Sequence, residues 1–495
     1  PRRPLALSPA TFARVLAGWT DDPPAGPLYR RLAAAVIAAV DRGDIPRTAR
    51  LPAERAAARA LGVSRGTVVA GYDLLADTGL VDRRRGSGTW VGDGAAPELR
   101  MRELDAGLRA RQLTRDTVVG GDDVIDLALS VLPTPDDLPP EALHLDAGEL
   151  ARVAHGHGYH PGGLPALRAR IAGFYTDLGV PTGADQVVVT VGAQQAIALT
   201  ARLLVQPGDA VAVESPTYPG AIDVYSRAGA RFVTVAGDAG GVVPDDLARA
   251  VATARPRLVY VVPTGHNPRG TVLPDQRRRQ VAAVVDGSDT WLAEDECLAW
   301  CAYDGDRPPL PIAAHGSGER VLTVGSISKL AWGGLRVGWL RGPAPAMARV
   351  ARLKAALDVG NCAVSQAMAL TVFDRVDEIA AARRRHLAGN ARLLCRLLAA
   401  ALPGWHARPP DGGLSLWVRL PSGTADAFAP VALRHGVRVL PGSAASPDEA
   451  HLDHLRLTVA LAPERLRRAV DRLAAAWADH TAAGAPALAV PVTAG

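Results

Sequence analysis

The sequence predicts an α/β protein in two unlike parts: a small basic head of helices closed by a hairpin, then a large doubly wound domain ending in a smaller α+β lobe. Three observations predict it. The chain has 495 residues, 48% apolar and 21% charged, too long for one ordinary domain and apolar enough to build two or three cores. Helical spacing fills residues 1–93 apart from one hairpin, whereas strands alternate with helices from Val124 onward. Charge divides at the same place, because residues 1–93 hold 14 Arg against 9 Asp or Glu, a net +5 that equals the whole chain's +5. A basic excess confined to one end points to a polyanion partner there.

In the head, Leu28, Leu32, Val36, Ile37 and Val40 fall on one face of a helix over 28–42, which Gly43 stops. Ala53 to Leu61 reads as a second helix, Gly62-Val63 as a turn, and Ser64 as the N-cap of a third helix reaching about Thr78. Leu80–Arg84, the turn Arg85–Gly88 and Thr89–Val91 form a hairpin. That order is a winged helix-turn-helix. Its turn delivers a helix N-terminus carrying Ser64, Arg65 and Thr67, donors that reach phosphates and base edges in a major groove. Arg65 is the expected base reader and Arg55 a phosphate contact, while Arg84, Arg85 and Gly88 shape a basic wing. The bland alternative is a protein–protein module.

Residues 94–124 read as a polar linker, partly helical through Met101, Leu104 and Leu108. Beyond it, strands are expected at Gln186–Thr190, Ala210–Glu214, Arg231–Val235, Arg257–Val262, Thr290–Glu294 and Val321–Val324, with helices between several of them. The last part, about Ala363 to Ala478, has two long arginine-rich helical stretches around strands at Leu414–Val418, Arg438–Val439 and Leu455–Val459; 481–495 read as a disordered tail. No apolar run is long enough for a membrane span, and Pro1–Pro9 leads into no signal-peptide pattern, so a cytoplasmic protein is expected. Cys297, Cys301, Cys362 and Cys395 make neither a disulfide framework nor a metal site.

The most pointed feature of the large domain is a count. Of 55 basic residues only Lys329 and Lys354 are lysines. Arginine stays protonated in proteins, whereas a lysine can deprotonate and form a Schiff base with an aldehyde. Lys354 lies in an amphipathic helix and reads as a surface residue. Lys329 follows strand Val321–Val324 directly, where parallel sheets present their ligands. Around it stand donors for a phosphate-bearing aldehyde: Ser326, Ser328, Arg336 and the helix start Gly192-Ala193-Gln194. Asp295, closing a strand, suits a protonated pyridine nitrogen, Asn267 suits a ring hydroxyl, and Tyr218 a ring face.

In this order and spacing, Gly-Ala-Gln-Gln, the Asn-Pro-x-Gly loop, Asp-Glu and Ser-x-Ser-Lys with Gly-Leu-Arg-Val-Gly-Trp resemble the fold-type-I pyridoxal-phosphate-dependent aminotransferases from about 125 to 480. The head, LGVSRGTV followed by RRRGSGTWV, resembles the GntR-type winged helix over 1–93, and the whole chain resembles the MocR family of regulators. The resemblance implies pyridoxal 5'-phosphate held as an aldimine on Lys329, with Asp295 at its ring nitrogen. Asn267 takes its phenolic oxygen, and Ser326, Ser328, Arg336 and Gly192–Gln194 its phosphate. It further implies that Tyr159 reaches the phosphate of the other subunit in a homodimer, the alternative being a core or rim tyrosine, and that Arg456 grips a substrate or effector carboxylate. Two departures stand out: Cys297 and Leu298 occupy the positions where the family places a tyrosine, and Gly333-Gly334-Leu335-Arg336 replaces Pro-Gly-Leu-Arg. The expected function is a regulator of operator DNA that senses an amine, an amino acid or the cofactor itself, and shifts the spacing of two heads. The alternatives are an aminotransferase tethered by its head and a DNA-binding protein with a degenerate, cofactor-free domain.

Overall fold

The computed structural model describes residues 6–19, 28–46, 48–77, 80–84, 88–91, 124–132, 138–448 and 450–482. The chain divides into two compact units, Pro1–Arg111 and Gln112–Gly495. The expected linker 94–124, apart from Val124, and the expected tail beyond residue 482 lie outside the described residues, as do Arg85 and the side chain of Arg84 at the wing, whereas residues 481–482 of that tail end helix Pro463–Ala482.

The head contains α1 (Pro9–Val15), α2 (Leu28–Asp41), α3 (Glu54–Leu61) and α4 (Arg65–Asp77), followed by the antiparallel strands β1 (Val81–Arg84) and β2 (Gly88–Val91). Three of its helices stand where sequence periodicity puts them. Helix α1 was not read from the sequence, although Ser8-Pro9 is a start signal; the Ser8 hydroxyl accepts from Thr11 N at 3.1 Å. Its Phe12 is buried with Leu32, Val36, Leu51, Val68, Tyr72 and Leu75. Each such large side chain contributes about 1.5–3 kcal/mol on burial. The buried Tyr72 hydroxyl donates to Pro52 O at 3.0 Å, so its burial leaves no orphaned donor. Helix α3 ends at Gly62 with φ +68, a left-handed turn that glycine adopts without a Cβ clash.

The second unit is built on an eight-stranded sheet. After the short β3 (Ile125–Asp126) come β4 (Val187–Thr190), β5 (Ala210–Ser215), β6 (Arg231–Asp238), β7 (Gly241–Val242), β8 (Leu258–Val261), β9 (Trp291–Asp295), β10 (Val321–Ser326) and β11 (Gly338–Arg341). The spatial order is β4-β11-β10-β9-β8-β5-β6-β7. The run from β10 to β6 is parallel, while β11 is antiparallel to both neighbours and β7 to β6. Buried on both faces by helices, β4, β5, β8 and β10 are buried along their whole length, which is why they read as apolar runs. Strand β11 is not legible in the sequence because Gly338 and Arg341 leave only Trp339-Leu340 as an apolar run.

A smaller lobe combines helices Val376–Ala401, Ala425–Arg434 and Pro463–Ala482 with β12 (His406–Ala407), β13 (Ser415–Arg419), β14 (Val437–Arg438), β15 (Leu440–Pro441) and β16 (His454–Thr458). Two short strands, β14 and β15, stand where one was expected. Strand β3 pairs in parallel with β14, and Ile125, Leu127 and Leu132 enter the lobe's core. The lobe thus recruits residues from the early part of the unit, which brings segment 124–132 against β13, β16 and Lys329.

One expectation is corrected here. Lys354 is not a surface residue: it is 0% exposed on helix Ala344–Asp358, on one stripe with the buried Met347 and Val350. Its Nζ donates to Asp358 Oδ1 at 2.8 Å, so the charge is buried because it is paired.

Candidate functional site

On the head, Arg55, Arg59 and Arg65 line a concavity of about 430 Å³ together with Ala58, Gly62 and Val63. Ser64 caps α4, its hydroxyl accepting from Thr67 N at 3.1 Å and bonding to Thr67 Oγ1 at 2.9 Å. Arg65 is exposed and bonds Glu54 Oε2 at 3.2 Å. Sequence reasoning missed Arg59, although its i,i+4 spacing from Arg55 on α3 puts both guanidinium groups on one face. It also missed Arg50, whose guanidinium lies over Trp90 at 5.7 Å. Gly88 has φ +97, and a Cβ there would meet Arg50 Nε at 2.7 Å. Glycine therefore lets Arg50 lie against the base of the wing.

In the second unit, Asp295 and Ser326–Lys329 stand at the carboxyl ends of the neighbouring strands β9 and β10. Asp295 closes β9 and is 2% exposed. Its Oδ2 accepts from the Tyr260 hydroxyl at 2.7 Å and its Oδ1 from Cys297 N at 3.1 Å. Tyr260 pairs opposite Ala293, which puts it on the face that Asp295 shares by strand alternation. Burial first, then the Asp295 charge, hold the Tyr260 hydroxyl and the Cys297 thiol well above their usual pKa ranges, so both remain protonated donors. Fixed donors on a buried carboxylate suit it to a cationic N–H partner.

Lys329 follows the end of β10, and its Nζ donates to Ser130 O at 2.6 Å. On β16, Arg456 is 5% exposed, donating from Nη1 to Asn267 Oδ1 at 3.1 Å and from Nη2 to Ala128 O. The structure thus brings Arg456 and Asn267 into contact, and the carbonyls of segment 124–132 face both cations. Ser130 and Ala128 were invisible to sequence reasoning, since only the β3–β14 pairing carries them here.

Helix Gly192–Leu204 starts directly after β4 and leaves its first N–H groups without intrahelical acceptors. Gly192 has φ +72, and a Cβ there would stand 2.8 Å from Arg336 Nη2. Arg336, itself left-handed at φ +53, donates to Val191 O at 2.8 Å, and burial pulls its pKa below the usual value. The Tyr218 hydroxyl donates to Gln194 Oε1 at 3.0 Å, and Gln194 Nε2 donates to Gly220 O at 2.9 Å. Ser326 is 1% exposed, its hydroxyl bonded to Val337 O and Ser328 Oγ. Tyr159 is 64% exposed, its ring stacked beside that of His157.

Behind Asp295, Glu294 and Glu296 are both buried: Arg278 bonds Glu296 at 2.7 Å, while Glu294 accepts from Ile312 N at 2.6 Å and from the Thr323 hydroxyl at 2.7 Å. Burial, then the Glu296 charge, push the Glu294 pKa from 4.5 up to about 7. A carboxyl raised on folding binds more protons folded than unfolded between those values, so stability falls as pH rises from about 4.5 to about 7. Thermal melts across pH 5–8 are expected to show that fall, and Glu296→Gln to reduce it by removing the second cause while burial remains; a flat wild-type profile counts against a raised Glu294 pKa. Among the described residues, no group of three or more His, Cys, Asp or Glu could hold a metal ion, and no helix is long and apolar enough to cross a membrane. All four cysteines are free thiols.

Comparison with known proteins bears on both units of the chain. Residues 122–473 match the aminotransferase class I and II family, and residues 28–91 match the gntR family of bacterial regulatory proteins. The HTH-type transcriptional regulator YdfD of Bacillus subtilis is 26% identical over 459 residues, covering 88% of this chain and 93% of that protein. The probable rhizopine catabolism regulatory protein MocR of Rhizobium meliloti is 30% identical over 344 residues, covering 63% of this chain and 65% of that one. Among solved structures, LysN, the α-aminoadipate aminotransferase of Thermus thermophilus complexed with N-(5'-phosphopyridoxyl)-L-leucine, superposes with a TM-score of 0.67 at 26% identity, covering 73% of this chain and 94% of that one. The chain belongs to the aminotransferase class I and II family and carries a gntR-type head in front of it, the two-part plan of MocR-type regulators.

Proposed function

We propose that the protein is a transcription regulator that binds operator DNA through its head and holds pyridoxal phosphate at Lys329, where an amine, an amino acid or the cofactor itself is sensed. The observation that carries this reading is the union, in one chain, of an arginine-lined helix-turn-helix with a lysine and a buried carboxylate at the ends of neighbouring parallel strands. The donor set fits the cofactor: a side chain at 192 would fill the space against Arg336, and helix N–H groups with a guanidinium suit a phosphate. When bound, the cofactor supplies an aldehyde for covalent attachment and a ring that draws electrons once its nitrogen is protonated. Asp295 would keep that proton on the nitrogen, with Tyr260 fixing the carboxylate. Asn267 would hold the ring oxygen, Tyr218 the ring face, Ser326, Ser328, Arg336 and Gly192–Gln194 the phosphate, and Arg456 an effector carboxylate.

A homodimer in the cytoplasm completes the reading, with exposed Tyr159 directed to the partner subunit. The head spans 1–93, the linker 94–124 and the sensing domain 125–480. Sensing requires a ligand that binds two states of the dimer with different free energy. The test starts from DNA selected by the protein out of a random pool. Its affinity is expected to change about fivefold or more on adding pyridoxal phosphate and then an effective amine, and to stay constant for Lys329→Ala. Constant wild-type affinity throughout overturns sensing. Steady conversion of an amino donor and a keto acceptor, without a DNA response, establishes the aminotransferase alternative.

A further inference from the structure

Lys329 and Lys354 are the only two lysines of this arginine-rich chain, and the second is buried at 0% exposure. We infer that Lys354 is a positioning residue that fixes the phosphate-binding end of the site through Asp358 and Gln195. This rests on the reading of Gly192–Gln194 and Arg336 as a phosphate cradle, and goes beyond it in assigning a role to the second lysine.

A continuous chain of hydrogen bonds carries the inference. Lys354 Nζ donates to Asp358 Oδ1 at 2.8 Å. The other oxygen of that carboxylate, Oδ2, accepts from Gln195 Nε2 at 2.6 Å. Gln195 turns its Oε1 back to accept from Val191 N at 2.8 Å, the residue immediately before the helix start. Val191 O in turn accepts from Arg336 Nη2 at 2.8 Å. Fixing Val191 from both sides sets where the first helix N–H groups and the Arg336 guanidinium point. Asp358 also accepts from Gly360 N at 3.1 Å, which ties down the end of its own helix.

The chemistry of the links explains the residue types. Asp358 lies at a helix C-terminus, where a negative charge is unfavourable, and a buried ammonium four residues earlier offsets it. At 0% exposure, an ammonium brings three N–H donors to satisfy, whereas a guanidinium brings five in a rigid fork. An ammonium therefore leaves fewer donors to satisfy beside a single carboxylate. Gln195 is the one link able to donate to the carboxylate and accept from Val191 at once.

The test compares pyridoxal phosphate with pyridoxal, which has the same aldehyde and no phosphate. Lys354→Met and Gln195→Met are titrated with each by visible absorption, and thermal unfolding is recorded without either. Gln195→Met cuts the chain while leaving the Lys354–Asp358 pair in place, so it decides the matter if Lys354→Met fails to fold. The expected result is a loss of roughly tenfold in affinity for pyridoxal phosphate with pyridoxal affinity unchanged. Equal loss for both ligands, or no loss for either, overturns the positioning role. If the wild type binds neither aldehyde, the cofactor reading itself falls and takes this one with it.

Discussion

Lys329→Ala is expected to abolish the visible band that pyridoxal phosphate gives with the wild type, at about 420 nm on the scale of such covalent attachments. The chain offers no replacement. Its only other lysine is 0% exposed and paired with Asp358 at 2.8 Å, and every remaining basic side chain is an arginine or histidine. Arginine stays protonated, so Lys329→Arg keeps the charge and is expected to lose the band as completely. The phosphate donors are untouched by either change, so the cofactor should still associate but wash out on gel filtration. Borohydride reduction before mass spectrometry reads the same point independently, since only an attached cofactor adds mass to the chain. A band that survives in Lys329→Ala sinks the assignment, and with it the sensing reading.

The parts of the site legible in the sequence are those that local chain order encodes. Gly192–Gln194, Asp295 and Ser326–Lys329 each follow a strand whose apolar run is visible, and a strand end is where a parallel sheet displays side chains. What escaped depends on contacts between distant segments. Tyr260 reaches Asp295 only because β8 and β9 are neighbours in a particular register, and Ser130 reaches Lys329 across 199 residues because β3 joins β14. Lys354 is a different failure. Its spacing from Met347 and Val350 already placed it on the buried stripe, but a charged side chain is read as exposed unless its partner is in view, and Asp358 was four residues away. In the head the same division holds. The α3–turn–α4 pattern was visible, whereas Arg50 required the fold of the wing against residues 48–51 to bring it to Gly88.

Arg65→Ala is expected to weaken binding to selected DNA by about 1–3 kcal/mol, roughly five- to 150-fold, while changing binding to random DNA far less. Arg65 opens α4, the helix that a turn after α3 delivers, and its side chain is 57% exposed. Its bond to Glu54 at 3.2 Å does not remove it from that role, because an exposed ion pair contributes only about 0–1 kcal/mol and a bidentate contact to a base edge outweighs it. Arg59→Ala is the contrasting change. It lines the same concavity from α3, the helix that crosses the DNA backbone in this motif, so it should weaken selected and random DNA alike and lower the salt slope by about one. Fluorescence anisotropy with both DNAs at several salt concentrations separates the two roles. Equal losses on both DNAs for Arg65→Ala would make it a phosphate contact and move base reading elsewhere on α4. Since the head and the cofactor cleft belong to separate units of the chain, neither substitution should alter the visible spectrum; a variant that loses both DNA binding and the band reports unfolding rather than a lost contact.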